Sequence, residues 1–114
     1  MTSSESAAVP NAIQRYQAAH DSRDFAVALG QFTLDASVVD DGKVYDGTDG
    51  VETFLRKAGS EYTYTRTLIA AEEVSSDCWR VTNRLEGNFP GGQVDLSYEF
   101  HLENGLISRL VIAP

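Results

Sequence analysis

The sequence predicts an α+β fold: a cone-shaped, curved antiparallel β-sheet covered on one face by three N-terminal helices. Three observations predict it. Apolar residues before Gly59 recur at helical spacing, three and four positions apart. After Gly59 they alternate with polar ones, the period of a strand with one buried face. Turn signals, Pro90-Gly91-Gly92 and Asn104-Gly105, cut that second half into successive strands. Helices followed by a run of strands define the α+β class. At 114 residues, 42% hydrophobic and 23% charged, the chain is read as one domain over residues 9–114. A chain of this size buries roughly two thirds of its unfolded surface.

Each element follows in order. Residues 1–8 are rich in Ser, Ala and Glu and are read as a disordered tail. From Pro10 the pattern turns helical, with Ile13, Tyr16, Gln17 and His20 one turn apart and a proline suited to a first turn. Asp21 to Asp24 interrupts and caps a second helix, whose apolar face is Phe25, Ala28, Leu29 and Phe32. Ala36 to Val39 is a short apolar strand running into Asp40 and Asp41. Gly42 and Gly47 carry hairpin or loop chemistry. Thr48 is placed to cap a third helix, with Asp49 and Glu52 near its positive end. That helix buries Val51, Phe54, Leu55 and Ala58 and stops at Gly59. Tyr62 to Val74 reads as a long strand, its tyrosines Tyr62 and Tyr64 placed to rim a cavity mouth. In Trp79 to Phe89, Trp79, Val81, Asn83 and Leu85 share a face, with Arg80, Thr82, Arg84 and Glu86 opposite. Val94, Leu96, Tyr98, Phe100 and Leu102 then alternate with Asp95, Ser97, Glu99 and His101. Asn104-Gly105 turns into a last strand, Leu106 to Ile112. There is no internal repeat, low-complexity tract or linker.

The composition excludes several classes of function. Seventeen acids against nine bases, a net charge of −8, argue against binding a phosphate backbone. No apolar run approaches the ~20 residues that cross a bilayer. The first nine residues lack the basic and apolar regions of a secretion signal. The single cysteine, Cys78, cannot form an internal disulfide, which points to a reducing cytoplasm. Between Asp77 and Trp79 it has no basic neighbour to activate it and is read as a strand residue. No H-x-x-H, C-x-x-C, acidic calcium loop, nucleophile elbow or Gly-rich phosphate loop occurs, so neither metal nor cofactor is expected.

Several residues stand out as chemistry. Alternation sends Ala36, Val38 and Asp40 the same way, so the row that carries core residues ends in a carboxylate. One reading is a turn, Asp40-Asp41-Gly42. The other is a carboxylate at the rim of an apolar pocket, partly desolvated and suited to accepting a proton. Tyr16 is either a core tyrosine bonded to backbone or a donor toward a developing oxyanion. Tyr98, on the apolar face of its strand, is a second donor or plain core. Asn83 is the polar member of an apolar row and must be satisfied, by a ligand among other ways. Trp79, Phe54 and Phe100 are the apolar residues assigned to ligand contact. His101 is read as exposed, and His20 as a cation suiting the end of helix one. The polar sheet face, with Arg80, Arg84, Asp95 and Glu99, is either solvated or meets a second copy across a two-fold axis.

Three stretches carry a resemblance: "AIQRYQAAHDSRD", "LDASVVDDGKVYDGTDGVETFL" and "YEFHLENGLISRLVIAP". From about Ala12 to Pro114 the chain resembles the nuclear transport factor 2-like superfamily, close to its SnoaL-like and ketosteroid-isomerase-like branch, including small bacterial members. The resemblance implies a cone-shaped cavity holding a small apolar molecule. It also implies a tyrosine donor at Tyr16 and a proton-shuttling base at Asp40. The late-strand acid of the isomerase pattern falls on Tyr98, and the proline after the base on Asp41. The implied function is cofactor-free acid–base isomerisation or cyclisation of a carbonyl compound, polyketide- or steroid-like, by a homodimer. The alternative is a non-catalytic binding or protein-interaction module. An epoxide hydrolase would need an Asp-Arg-Asp relay, for which Arg66 is the one candidate arginine.

Overall fold

The computed structural model describes residues 9–61 and 63–114, the side chains of residues 58–61 excepted. Helices α1 (Asn11–Asp21) and α2 (Phe25–Leu29) lead into strands β1 (Phe32–Asp40) and β2 (Lys43–Asp46). Helix α3 (Gly47–Glu61) precedes β3 (Tyr64–Ser75), β4 (Cys78–Gly87), β5 (Gln93–Glu103) and β6 (Leu106–Ala113). The six strands form one sheet in the order β2-β1-β6-β5-β4-β3.

Local chemistry sets the helix ends. The Pro10 carbonyl accepts from the amides of Ile13 and Gln14, both at 3.1 Å, starting α1. Arg23 takes a left-handed conformation (φ 59°) and the Asp24 amide donates back to the Ala19 carbonyl at 2.8 Å, ending it. The Asp24 carboxylate then accepts from the Val27 amide at 3.3 Å, capping α2 as the sequence predicts. Helix α2 is a single short turn, because the Ile107 amide of β6 takes the Gln31 carbonyl at 2.8 Å and draws the chain into the sheet. Phe32, expected on the helical face, therefore opens β1 opposite Ile107. Thr48 is not a cap: it lies inside α3, its hydroxyl directed to the Leu34 carbonyl at 3.4 Å, and the helix begins at Gly47 (φ 71°). A Cβ on Gly50 would sit 2.9 Å from the Tyr45 carbonyl carbon, so glycine lets α3 approach β2. The helix continues past Gly59 to Glu61. The expectations for residues 1–8, the Ala58 side chain and Tyr62 fall outside the described residues.

The sheet is mixed rather than antiparallel throughout. Strand β1 runs parallel to β6, from Ser37 opposite Arg109 to Asp40 opposite Ile112, and every other pairing is antiparallel. The β5–β6 hairpin fixes the direction of β6, and the long excursion through α3 and β3–β5 supplies the crossover that a parallel pair needs. Positive φ at Asn104 (52°) and Gly105 (80°) makes that hairpin turn two residues long, as predicted. Register shifts between Phe32 and Ser37, Leu68 and Ala70, and His101 and Leu102 bend the strands and curl the sheet around the helices.

The core lies between that concave face and α1 and α3. Ile13, Val38, Leu55, Val81, Phe100 and Leu110 are completely buried. Tyr16 of α1 meets Phe32 and Phe100 edge-on, ring centroids 5.4 and 5.8 Å apart, which locks the helix onto β1 and β5 at once. We expect Phe100→Ala to cost about 3–5 kcal/mol in chemical denaturation, the usual penalty for truncating a fully buried phenylalanine. A loss below about 1 kcal/mol would contradict its place at the centre of the core.

Candidate functional site

Strand β1 resolves the ambiguity of its own C-terminus. Ala36 and Val38 are fully buried, and Asp40, half-buried, ends the same row. Asp41 (φ 54°) and Gly42 (φ 78°) form the two-residue turn into β2. The turn belongs to Asp41 and Gly42 alone, and Asp40 is the last ladder residue before it.

Asp40 lines a cavity of about 370 Å³ together with Tyr16, His20, Phe54, Tyr64 and Tyr98, the remaining wall being largely apolar from Leu85, Leu96 and Ile112. The pairing of strands explains the gathering. Asp40 lies opposite Ile112, and Ile112 lies opposite Tyr98. Carboxylate and phenol thus start from one row, two strand spacings or about 10 Å apart at the backbone. Tyr16 descends on them from α1, and Phe54 from α3.

Burial shifts the phenols of this cavity in one direction. Burial pushes the Tyr16 phenol well above its ordinary value; Tyr98, Tyr64 and Asp40 add to the rise, and Arg66 opposes it. Tyr98 is raised mainly by burial, then by Tyr64 and Asp40. Tyr64 is raised by burial first and by Asp21 second. All three therefore remain hydrogen-bond donors at neutral pH. Among the described residues no hydrogen bond reaches the hydroxyl of Tyr16 or Tyr98.

His20 belongs to the same wall. Its ring stacks on Phe54, centroids 6.4 Å apart and planes within 13°, and its Nδ1 lies 3.5 Å from the Tyr64 hydroxyl. Its Nε2 is buried with no hydrogen-bond partner among the described residues. Burial lowers its pKa foremost, with Arg23 and Arg66 acting the same way and Asp21 opposing. The sequence reading as a dipole-facing cation is thereby corrected, since burial favours neutral imidazole. The signal was present: His20 is four residues beyond Tyr16, on the same helical face.

Three residues assigned to ligand contact stand elsewhere. Asn83 is fully buried but satisfied internally, its amide donating to Gln17 Oε1 at 2.7 Å and its oxygen accepting from Arg66 Nη1 at 3.1 Å. Trp79 and Phe100 are core residues, the latter stacked behind Tyr98 at 6.2 Å. Of the assigned apolar contacts, Phe54 lines the cavity. Arg66 grips Asp21 with both ends of its guanidinium, at 3.0 and 2.7 Å, besides bonding Asn83. It joins no relay with Asp40 and lines a separate, more polar cavity of about 450 Å³ with Gln14, Gln17 and Asp21.

The buried imidazole makes a pH prediction. Its folded pKa lies below the unfolded value near 6.5, so the unfolded chain takes up a proton that the folded one resists. The associated stability is complete above pH ~6.5 and is lost as pH falls through the window below it. Asp95, held down by Arg84, and Glu99, held down by His101 and Arg80, lose their contributions only nearer pH 4. Denaturation midpoints should therefore fall between pH ~6.5 and ~5 in the wild type and stay flatter in His20→Gln. Identical profiles would show that His20 titrates as an exposed group.

No family model matches the sequence, and no curated protein matches it. Solved structures do. A protein from Sinorhizobium meliloti that carries a provisional polyketide cyclase name is 28% identical over 92% of this chain and 95% of its own, with a TM-score of 0.86. An NTF2-like protein of unknown function from Cytophaga hutchinsonii is 14% identical, covers 90% of this chain and 86% of its own, and has a TM-score of 0.73. A Mycobacterium tuberculosis protein in complex with estradiol-17β-hemisuccinate is 19% identical over 90% of each chain, TM-score 0.76. Among the described residues no helix is long and apolar enough to cross a membrane. With its six-stranded mixed sheet wrapped around three helices, the chain has the nuclear transport factor 2-like, cystatin-like fold of these solved structures.

Proposed function

We propose that this protein binds a small, largely apolar carbonyl compound, polyketide- or steroid-like, and catalyses its isomerisation or cyclisation by acid–base chemistry without a cofactor. One observation carries the reading: a carboxylate and several protonated phenols converge in one apolar cavity of about 370 Å³, a volume suited to a small organic ligand. Asp40 removes a proton from the carbon beside the carbonyl. Tyr16 and Tyr98 donate hydrogen bonds to the carbonyl oxygen, where negative charge develops as the enolate forms. Asp40 then returns the proton at a second carbon, or the enolate carbon attacks a second carbonyl of the same molecule, whose C=O π bond breaks to an alkoxide that takes the proton back from Asp40. The raised phenol pKa values suit this division, since a phenol that stays protonated stabilises the oxyanion without competing for the proton. The steroid ester held by the Mycobacterium tuberculosis protein and the provisional cyclase name of the Sinorhizobium meliloti one support the ligand class.

A second reading, non-catalytic binding in the same cavity, is favoured by one fact: among the described residues Asp40 is the only carboxylate in the wall. We further propose that two copies associate through the outer sheet face. Its cross-strand pairs, Arg84 with Asp95 at 2.8 Å and Arg80 with Glu99 at 3.3 Å, leave that surface internally neutralised and compatible with burial.

Asp40→Asn separates the two readings. Turnover on a panel of β,γ-unsaturated ketones and hydroxy-ketones should fall ~10²–10⁴-fold while affinity for a fluorescent steroid is retained. Unchanged turnover would remove Asp40 from the mechanism. Binding with no turnover by the wild type across the panel would favour the non-catalytic reading.

A further inference from the structure

The outer face of the sheet, opposite the cavity, gathers three metal-binding side chains where linear motifs show none. Cys78 at the start of β4 lies directly across from His101 of β5, and Glu99 sits two residues before His101 on the same face. One ligand atom from each, the thiol sulfur, an imidazole nitrogen and a carboxylate oxygen, lies within 4.8 Å of the other two. His101 Nε2 and Glu99 Oε1 are 3.1 Å apart. Two ligands held ~2.0–2.1 Å from a tetrahedral zinc ion are about 3.3 Å apart, so this pair already has nearly the required separation.

The surroundings fit as well. Glu99 Oε2 accepts from Arg80 Nη2 at 3.3 Å, which turns the carboxylate so that Oε1 faces His101 and Cys78. Arg80 Nη1 bonds Glu72 Oε1, also at 3.3 Å, offsetting the charge of the guanidinium. The backbone of the cluster is pinned on both sides, by the Leu102 amide on the Asp77 carbonyl at 2.8 Å and by the Ser108 hydroxyl on the His101 carbonyl at 3.1 Å. Cys78 is buried while the His101 and Glu99 side chains are 40% and 34% exposed, so the cluster opens on one side to water. A thiolate and a carboxylate together neutralise a divalent cation, and thiolate with imidazole selects the zinc class over magnesium or calcium.

We propose that Cys78, Glu99 and His101 bind a zinc-class divalent cation, with water as the fourth ligand, clipping β4 to β5 on the face away from the cavity. Binding releases the thiol proton, so the ion does not enter as a redox partner and no electron is transferred. Because the ligands come from two strands joined by a hairpin, neither histidine nor cysteine spacing along the chain reveals them.

The test titrates the chelator-treated, full-length protein with cobalt(II) chloride and then zinc chloride. Expected are one ion per chain, a thiolate-to-cobalt charge-transfer band, and loss of that band as zinc displaces cobalt. Affinity should weaken about tenfold per pH unit once the thiol must be deprotonated on binding. Cys78→Ser should abolish the band, and His101→Gln should weaken zinc binding at least tenfold. Thermal melts of both variants without metal verify that they fold. Zinc binding by folded Cys78→Ser as tight as by the wild type, or cobalt binding without a thiolate band, would overturn the site.

Discussion

The parallel pairing of β1 with β6 is the constraint on which the rest of the cavity depends. It sets Asp40 beside Ile112, and the β5–β6 hairpin in turn sets Ile112 beside Tyr98. A slip of one residue in either ladder would turn the side chains of the slipped strand to the opposite face of the sheet and take the carboxylate or the phenol out of the cavity. The face that Asp40 takes follows from the burial of Ala36 and Val38 ahead of it, each completely removed from solvent, since a one-residue slip would expose both. The position of the charged residue is thus a by-product of where its apolar neighbours must go.

Polar groups in the interior divide into two kinds, and the division separates architecture from candidate chemistry. The buried Gln17 and Asn83 bond to each other, and Asn83 bonds to Arg66, which grips the exposed Asp21, so their burial is compensated and they tie α1 to β3 and β4. In the cavity wall one buried atom lacks this compensation. His20 Nε2 has no partner among the described residues, and leaving such an atom buried costs about 1–3 kcal/mol. A core selected for stability alone would replace that imidazole with an apolar ring of similar shape. Its retention beside two phenols and a carboxylate is what one expects of a wall that must present polar atoms to a guest.

How much of this was legible in the sequence depended on the range of the interaction involved. Period-two alternation placed Val81, Tyr98 and Phe100 inward because each strand is buried on a single face, and it delivered Asp40 for the same reason. Local chemistry delivered the Asp24 cap and the Asn104-Gly105 turn. Most of the failures are non-local. Phe32 satisfies a helical pattern, yet the Ile107 amide of β6, far along the chain, pulls it into the sheet. Asn83 looked like an unsatisfied amide because its partner Gln17 lies on a different element. His20 shares the helical face of Tyr16, but the residues that enclose it, Phe54 and Tyr64, lie on other elements. Parallel pairing of β1 with β6 escaped for the same reason, since it joins the two ends of the chain.

The same alternation that fills the cavity also furnishes the opposite surface. On β5, Tyr98 and Phe100 face the helices, so Glu99 and His101 have no choice but to face outward, where the β4 register presents Arg80 and Cys78 to them. Inner and outer chemistry are therefore written on one strand in interleaved positions. They share a backbone but no side-chain contact, and substitutions on the two faces should act independently wherever the strand itself is unmoved. A chain built this way can change what it holds inside without disturbing what it presents outside. That separation gives a physical reason why one architecture recurs among proteins whose sequences have diverged as far as the 14–28% identities found with the similar structures described here.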